Sequence, residues 1–423
     1  MGVVSNMVKD VPLPKMVKIR QKFDETRIEP ADIPNLIKVE FDKFKDKFKP
    51  GMSIAITCGS RGFKNNAIIT KAMVDYLKDI GCKPFIDPAM GGHAGATVEG
   101  NEALLSSYGI TPETMGCPFK TTMEVVQIGT WGDFDEPLYM DKNAYEADGI
   151  ILYNRIKTHT GFHGKYESGL MKMCSQGLGK QIGATQTHRR GYPHMTERVG
   201  QKGAALCALD KVLLGVGVIE NAYTDTYKIA VVDAKKAPEL EPDLLLESKK
   251  VMGKILFPSV DVLIVDEIGK NISGDGMDPN ITGTFCTTAA SGGLKKQRTV
   301  VLSLTEETHG NSAGLGMADF APKRAYDQFD PEFSYPNILT SGCIEVARIP
   351  VIMANDKEAL QAAVHTCFDI DKTKPKIVRI KNTLSISELY ISEELIPEAK
   401  AHPDIEIVGE LEDFDFNAEG NLF

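Results

Sequence analysis

The sequence predicts an α/β protein of two domains with largely parallel sheets, and three observations predict it. The chain has 423 residues, more than one compact core serves, so two domains are expected. From Ser53 to Ile86 an apolar run, a polar loop, a periodic helical stretch and a second apolar run follow one another. That is the order of a βαβ unit, whose strands pair in parallel. Further short apolar runs, each ending in a glycine-rich polar stretch, recur down the chain. Strands whose carboxyl ends carry ligand-binding loops read this way.

In order, Val17–Glu29 alternates weakly and is expected as an edge strand. Ile33–Phe48 has apolar residues at helical spacing with charge on the other face. Ser53–Thr57 reads as a strand, Ala67–Ile80 as a helix stopped by Gly81, and Lys83–Ile86 as the next strand. Gly149–Tyr153 is a buried strand, and Val212–Val218 and Lys228–Asp233 form a strand pair. Lys236–Asp243, with two prolines and mixed charge, is expected as the linker, dividing the chain into domains 1–240 and 241–423. Leu244–Leu256 and Lys357–Cys367 read as helices. Asp261–Val265, Val300–Leu304, Val351–Ala354 and Lys376–Ile380 read as strands, and acidic Glu410–Asp415 as solvated surface. The active site is expected in the cleft between the two domains.

Composition narrows the function. Charged residues make up 25% and hydrophobic ones 42%, ordinary for a globular protein. A net charge of −10 argues against nucleic acid or an anionic membrane as partner, and leaves room for a small ligand in a locally basic pocket. No apolar run approaches the roughly 20 residues that span a bilayer, and the N-terminus lacks a secretory apolar core. The eight cysteines are scattered without a CxxC pair. They are expected as free, buried thiols of a cytoplasmic protein, with no structural zinc site.

The richest chemistry lies in Gly149–His194. Four of the eight histidines are here, His159, His163, His188 and His194, interleaved with Lys157, Lys165, Lys172 and Lys180. Histidine is the side chain best suited to acid/base work near neutral pH and the commonest metal ligand. A metal or acid/base site is therefore one reading, and a hydrated basic surface loop the other. Two loops of the βαβ unit add candidates. Cys58–Asn66 offers Arg61 and Lys64 at a helix N-terminus, suited to a phosphate or carboxylate, or simply a solvated turn. Asp87–Thr97 sets His93 between glycines. Further on, the loop after Val265 contributes Glu267, Lys270, Ser273 and Asp278, at spacings that do not fit a calcium loop.

These residues resemble the nickel-dependent lactate racemase family, and one of its uncharacterised branches more than lactate racemase itself. The resemblance is strongest over Ser60–Thr97, Asp148–His188 and Asp266–Gly283. In that family a lysine covalently tethers a nickel-pincer nucleotide, pyridinium-3,5-bisthiocarboxylic acid mononucleotide with its nickel, and a histidine farther along completes the metal's coordination. Lys172 at the end of SGLMK matches the tether. His188, sixteen positions on, matches the ligand at the family's spacing. The resemblance implies that His93 in GGHAGAT and His159 in KTH are the alternating acid and base. It implies that Arg61 binds substrate or cofactor, and that Lys270 binds substrate from the second domain. The spacing from His159 to Lys172 is longer than the family's and that from His163 is nearer to it, so either histidine could fill the second role. Cys58 stands where the family has an aspartate, which argues against lactate as the substrate.

The implied chemistry is coherent. The C–H bond at C2 of a 2-hydroxy acid is too weakly acidic for histidine to break by proton abstraction. Removing that hydrogen as hydride, while a base takes the hydroxyl proton, leaves a planar 2-keto acid open on both faces. Two bases, one per enantiomer, then follow from geometry. The expectation is a racemase or epimerase of a 2-hydroxy acid, a sugar acid being one candidate. Its partners would be that small molecule and the proteins that build the cofactor. The alternatives are a zinc hydrolase using His159, His163 and His188 with a metal-activated water, and a non-catalytic nickel or cofactor carrier.

Overall fold

The structure, a computed structural model, describes residues 2–423, and the side chains of Asn337 and Thr340 are outside the description. The chain divides into two α/β units. One is Glu25–Met252, and the other joins the chain up to Asp24 with Gly253–Phe423. The boundary thus falls at 252/253 rather than after residue 240, and the N-terminal segment belongs with the C-terminal unit. Among the described residues, no helix is long and apolar enough to cross a membrane.

The Glu25–Met252 unit is built on a five-stranded sheet. Its order is Lys83–Pro88, Ser53–Cys58, Gly149–Arg155, Val212–Glu220 and Thr226–Asp233. The first four run parallel and the last returns antiparallel as a hairpin. Ile54, Ala55, Ile56, Ile150, Ile151 and Leu152 are fully buried, as strands covered on both faces must be. Helix Ile33–Asp42 buries Ile33, Ile37 and Phe41, one stripe of a 3.6-residue period, and Phe41 meets Tyr76 of helix Asn66–Asp79 edge to face. Gly81 ends that second helix at φ +83, and its N–H bonds Lys78 O.

From Ser53–Cys58 the chain crosses to one side of the sheet, and from Gly149–Arg155 to the other. The crevice outside the carboxyl ends of these two adjacent strands is the topological switch point, where open α/β sheets bind ligands. An antiparallel hairpin, Val125–Trp131 with Glu136–Asp141, is an excursion of the same unit.

The other unit holds an eight-stranded sheet. Val351–Met353, Phe320–Pro322, Arg298–Val301, Val262–Val265 and Ile377–Ile380 run parallel, then Glu388–Ser392, Met16–Gln21 and Ile405–Ile407 alternate in direction. The expected N-terminal edge strand is therefore an interior one, paired on both sides. Val17 and Ile19 face the core, while Lys18 and Arg20 both pair with Glu388.

The expected linker is helical. Lys236–Asp243 leads into helix Ala237–Val251, with Pro238 in its first turn and Pro242 inside it. Proline at position 242 has no N–H for the carbonyl of residue 238. That carbonyl accepts the Tyr166 hydroxyl instead, at 2.7 Å. A side chain from elsewhere thus repairs the break that marked the segment as a linker.

Candidate active site at the carboxyl edge of the five-stranded sheet

The loop after Ser53–Cys58 and the one after Lys83–Pro88 meet through Ser60 and His93, Oγ to Nδ1 at 2.5 Å. Tyr108 OH donates to Ser60 O at 3.1 Å and braces the first loop. Arg61 lies within electrostatic reach of Tyr108, whose phenol is pushed up by burial and pulled back by that guanidinium. Lys64 is not held for an anion. Its amine pairs with Asp225, and its N–H bonds Glu220 Oε1 at 3.0 Å. Cys58 is 1% exposed and packs in the core, so position 58 has no access to a ligand here.

The loop after Gly149–Arg155 is closed by a short ladder between Lys157 and Ser168. Glu167, fully buried, organises its interior. It accepts the N–H of His159 at 2.8 Å and of Gly164 at 3.2 Å, and takes Lys249 Nζ at 2.6 Å. Gly161 N–H donates to His159 Nδ1 at 2.9 Å, and His159 Nε2 lies 2.9 Å from Lys172 Nζ. Burial, with the nearby Lys172 and His188, pushes the His159 imidazole well below its ordinary pKa, so the ring is neutral. Nδ1 accepts from Gly161, so Nε2 is the nitrogen turned toward the Lys172 amine. The His159 ring thus meets this lysine.

Lys172 closes the short helix Leu170–Lys172 and is followed at once by a π-helical turn, Met173–Gly177. Such turns add a residue to the helical path and are frequent at functional sites. The turn packs over the first two loops. A Cβ on Gly177 would lie 2.7 Å from Ala89 O, and one on Gly91 3.3 Å from Gln176 O. Helix Lys180–His188 then ends at the predicted metal ligand. His188 Nδ1 donates to Ala184 O at 2.8 Å, which leaves the Nε2 lone pair as a donor. Burial pushes its pKa down as well, so it too is neutral. His194 is exposed at the start of the next helix.

Two carboxylates that sequence reasoning missed hold this arrangement: Glu167 and Glu241. Glu241 Oε2 accepts Met171 N–H at 2.9 Å at the start of the Lys172 helix. Burial pushes its carboxyl from 4.5 up to about 7. Because that folded value is the higher one, the group's stabilisation is present below pH 4.5 and lost as pH rises through 7. Glu241→Gln should remove that dependence. Relative to the variant, the wild type is expected to lose on the order of 3 kcal/mol between pH 4.5 and 8. Urea midpoints at the two pH values check it, and parallel curves would refute it.

The three histidines of the zinc alternative do not form a ligand set. Among the described residues no group of three or more His, Cys, Asp or Glu side chains could hold a metal ion. His159 accounts for this, with Nδ1 on Gly161 and Nε2 on Lys172. All eight cysteines are free and buried. In the other unit, Lys270 bonds Thr308 Oγ1 through its N–H, and Gly274 O through its amine. Asp278 caps helix Pro279–Thr282, Ser273 is buried, and Glu267 accepts from Asn382 at 2.7 Å. Lys270, Asp278 and Glu267 thus have structural partners, while the buried Ser273 hydroxyl has no hydrogen-bond partner among the described residues.

Two α/β units, one with its strand ends gathered around paired histidine and lysine side chains, define a lactate-racemase-like fold. The solved structure that carries this statement is the lactate racemase apoprotein from Thermoanaerobacterium thermosaccharolyticum. It matches with a TM-score of 0.50 over 87% of this chain and 93% of that one, at 14% identity. The likeness is one of fold. No protein-family model matches the chain, and no curated protein does.

Proposed function

We propose that this protein is a racemase or epimerase of a 2-hydroxy acid that works with a lysine-tethered nickel-pincer nucleotide, in a branch of the lactate racemase family distinct from lactate racemase. The observation that carries the reading is the contact between His159 Nε2 and Lys172 Nζ at the switch point. It sets a nucleophilic lysine against a neutral imidazole where a ligand is expected. The donor set suits the group. Lys172 presents an amine for covalent attachment. His188 presents the neutral Nε2 that nickel prefers, and sulfur donors belong to the nucleotide, so no cysteine cluster is required. When bound, the group supplies an electron-poor ring and a metal that accept hydrogen from C2 and return it.

The chain's own residues do the rest. His93 and His159 each take the substrate's hydroxyl proton for one enantiomer and return it for the other. Ser60 occupies His93 Nδ1, so Nε2 is the working atom of that ring. His159 turns Nε2 toward Lys172, and that nitrogen can act as base in the Nδ1–H tautomer, which requires the Gly161 contact to open. Arg61 offers paired hydrogen bonds to a carboxylate or phosphate. The substrate is a 2-hydroxy acid, a sugar acid being one candidate.

The test is interconversion of enantiomers across a panel of 2-hydroxy acids, using protein co-expressed with cofactor-building enzymes. His93→Ala and His159→Ala should each lose on the order of 10²–10⁴-fold in rate, unequally for the two directions. If both keep full activity, the acid/base assignment fails. An unmodified chain carrying zinc and hydrolysing substrates would overturn the reading.

A further inference from the structure

His188 sits at the end of a helix whose last carbonyls need partners from outside it. Arg198, from helix Met195–Cys207, provides them. Its Nη2 donates to Gln186 O at 2.8 Å and its Nε to Thr187 O at 3.0 Å. The same guanidinium is clamped by both oxygens of Glu136, at 2.6 and 2.7 Å. Lys202, one turn further along the same helix, donates to Gly183 O at 3.0 Å, Gln186 Oε1 at 3.3 Å and Thr187 Oγ1 at 3.4 Å. The Trp131 ring lies 4.8 Å from the Arg198 Cζ and 5.8 Å from the Lys202 amine. Gln186 Nε2 completes the set by donating to Pro137 O at 2.9 Å.

Arg198 is 4% exposed and Lys202 fully buried. Burial and the charge of Arg198 push the Lys202 amine down to about 7. An interior that needed only filling would take an apolar side chain here at lower cost. Trp131, Glu136 and Pro137 all belong to the hairpin excursion, so hairpin and helix converge on one end of one short helix.

We infer that Arg198, braced by Glu136, and Lys202 form a positioning clamp that sets the rotation of helix Lys180–His188 and so aims His188 Nε2 at its ligand. The assignment rests on the reading of His188 as the nickel ligand. These are positioning residues, acting through His188. Second-layer partners of this kind change metal affinity by about 10–100-fold when removed.

The experiment has two arms. In the metal-free protein, nitrogen-15 NMR reads the His188 tautomer. The wild type should show Nδ1–H alone, and Arg198→Lys and Lys202→Met should show mixed tautomers. In cofactor-loaded protein, both variants should keep the covalent adduct on Lys172 yet lose nickel to a chelator about 10-fold faster or more. Lys202→Met keeps the test open should Arg198→Lys fail to fold. A single unchanged tautomer together with wild-type nickel retention in the folded variants overturns the clamp. If the wild type takes no adduct at all, the racemase reading fails, and the tautomer arm still decides the clamp.

Discussion

Lys172→Ala is expected to carry no covalent adduct and to have no racemase activity above background, in a protein that remains folded. The side chain is half-buried, and its contact with His159 is a single hydrogen bond. Removing it leaves His159 Nε2 without that partner, a cost of about 1–3 kcal/mol. That is too little to unfold a chain of this size but enough to lower a urea midpoint measurably. Intact-protein mass separates the two effects, since the adduct disappears with the amine whatever the stability. Lys172→Arg is the sharper control. It keeps a long side chain but replaces the amine with a guanidinium that is always charged, so it should also lose the adduct. Adduct at wild-type level in either variant would move the tether elsewhere.

Lys180→Met is expected to cause the largest loss of stability. The ammonium is 1% exposed and sits between two fully buried carboxylates, Asp87 at 3.2 Å and Asp141 at 2.8 Å, with Pro88 O at 2.6 Å. Burial works against its charge, but the carboxylates outweigh it and hold its pKa above the ordinary value. Burial in turn pushes Asp87 up to about 7 despite that lysine. Taking one partner from a buried ion cluster strands the others, at about 3–5 kcal/mol. For a unit of this size that is roughly 10 °C in Tm. Asp87 takes up a proton more readily once the lysine is gone, so the deficit should shrink from pH 8 to pH 5. Asp87→Asn added to Lys180→Met should recover part of it. A variant within about 1 kcal/mol of wild type would show that the triad is not needed to hold the turn before the His188 helix.

Much of this was legible in the chain, for a local reason. Ser53–Cys58, Lys83–Pro88 and Gly149–Arg155 are apolar because both faces of a parallel sheet are covered, so each declares itself by its own residues. The pairing of His159 with Lys172 was within reach too, since both lie on one short excursion closed by Lys157 and Ser168. Long-range partners left no such mark. Val125–Trp131 is mostly half-buried or exposed and lacks an alternating apolar face, so the hairpin that braces Arg198 looks like loop. Met16–Gln21 owes its interior place to strands near the far end of the chain. Glu241 sat in what read as a linker, because two prolines mimic a break that Tyr166 mends from a distance. Three histidines close in sequence suggested a ligand set, but backbone N–H and amine partners had already claimed the His159 nitrogens.

The contact between His159 and Lys172 also bears on the order of events in the proposed reading. Before the lysine is modified, its amine lies 2.9 Å from His159 Nε2. If Lys172 is the tether, acylation would turn that amine into an amide nitrogen, uncharged and no longer basic. Attachment would then change what His159 faces at the moment it installs the group beside it. On this reading the lysine is a latch on the imidazole, and loading the chain would be what lifts it.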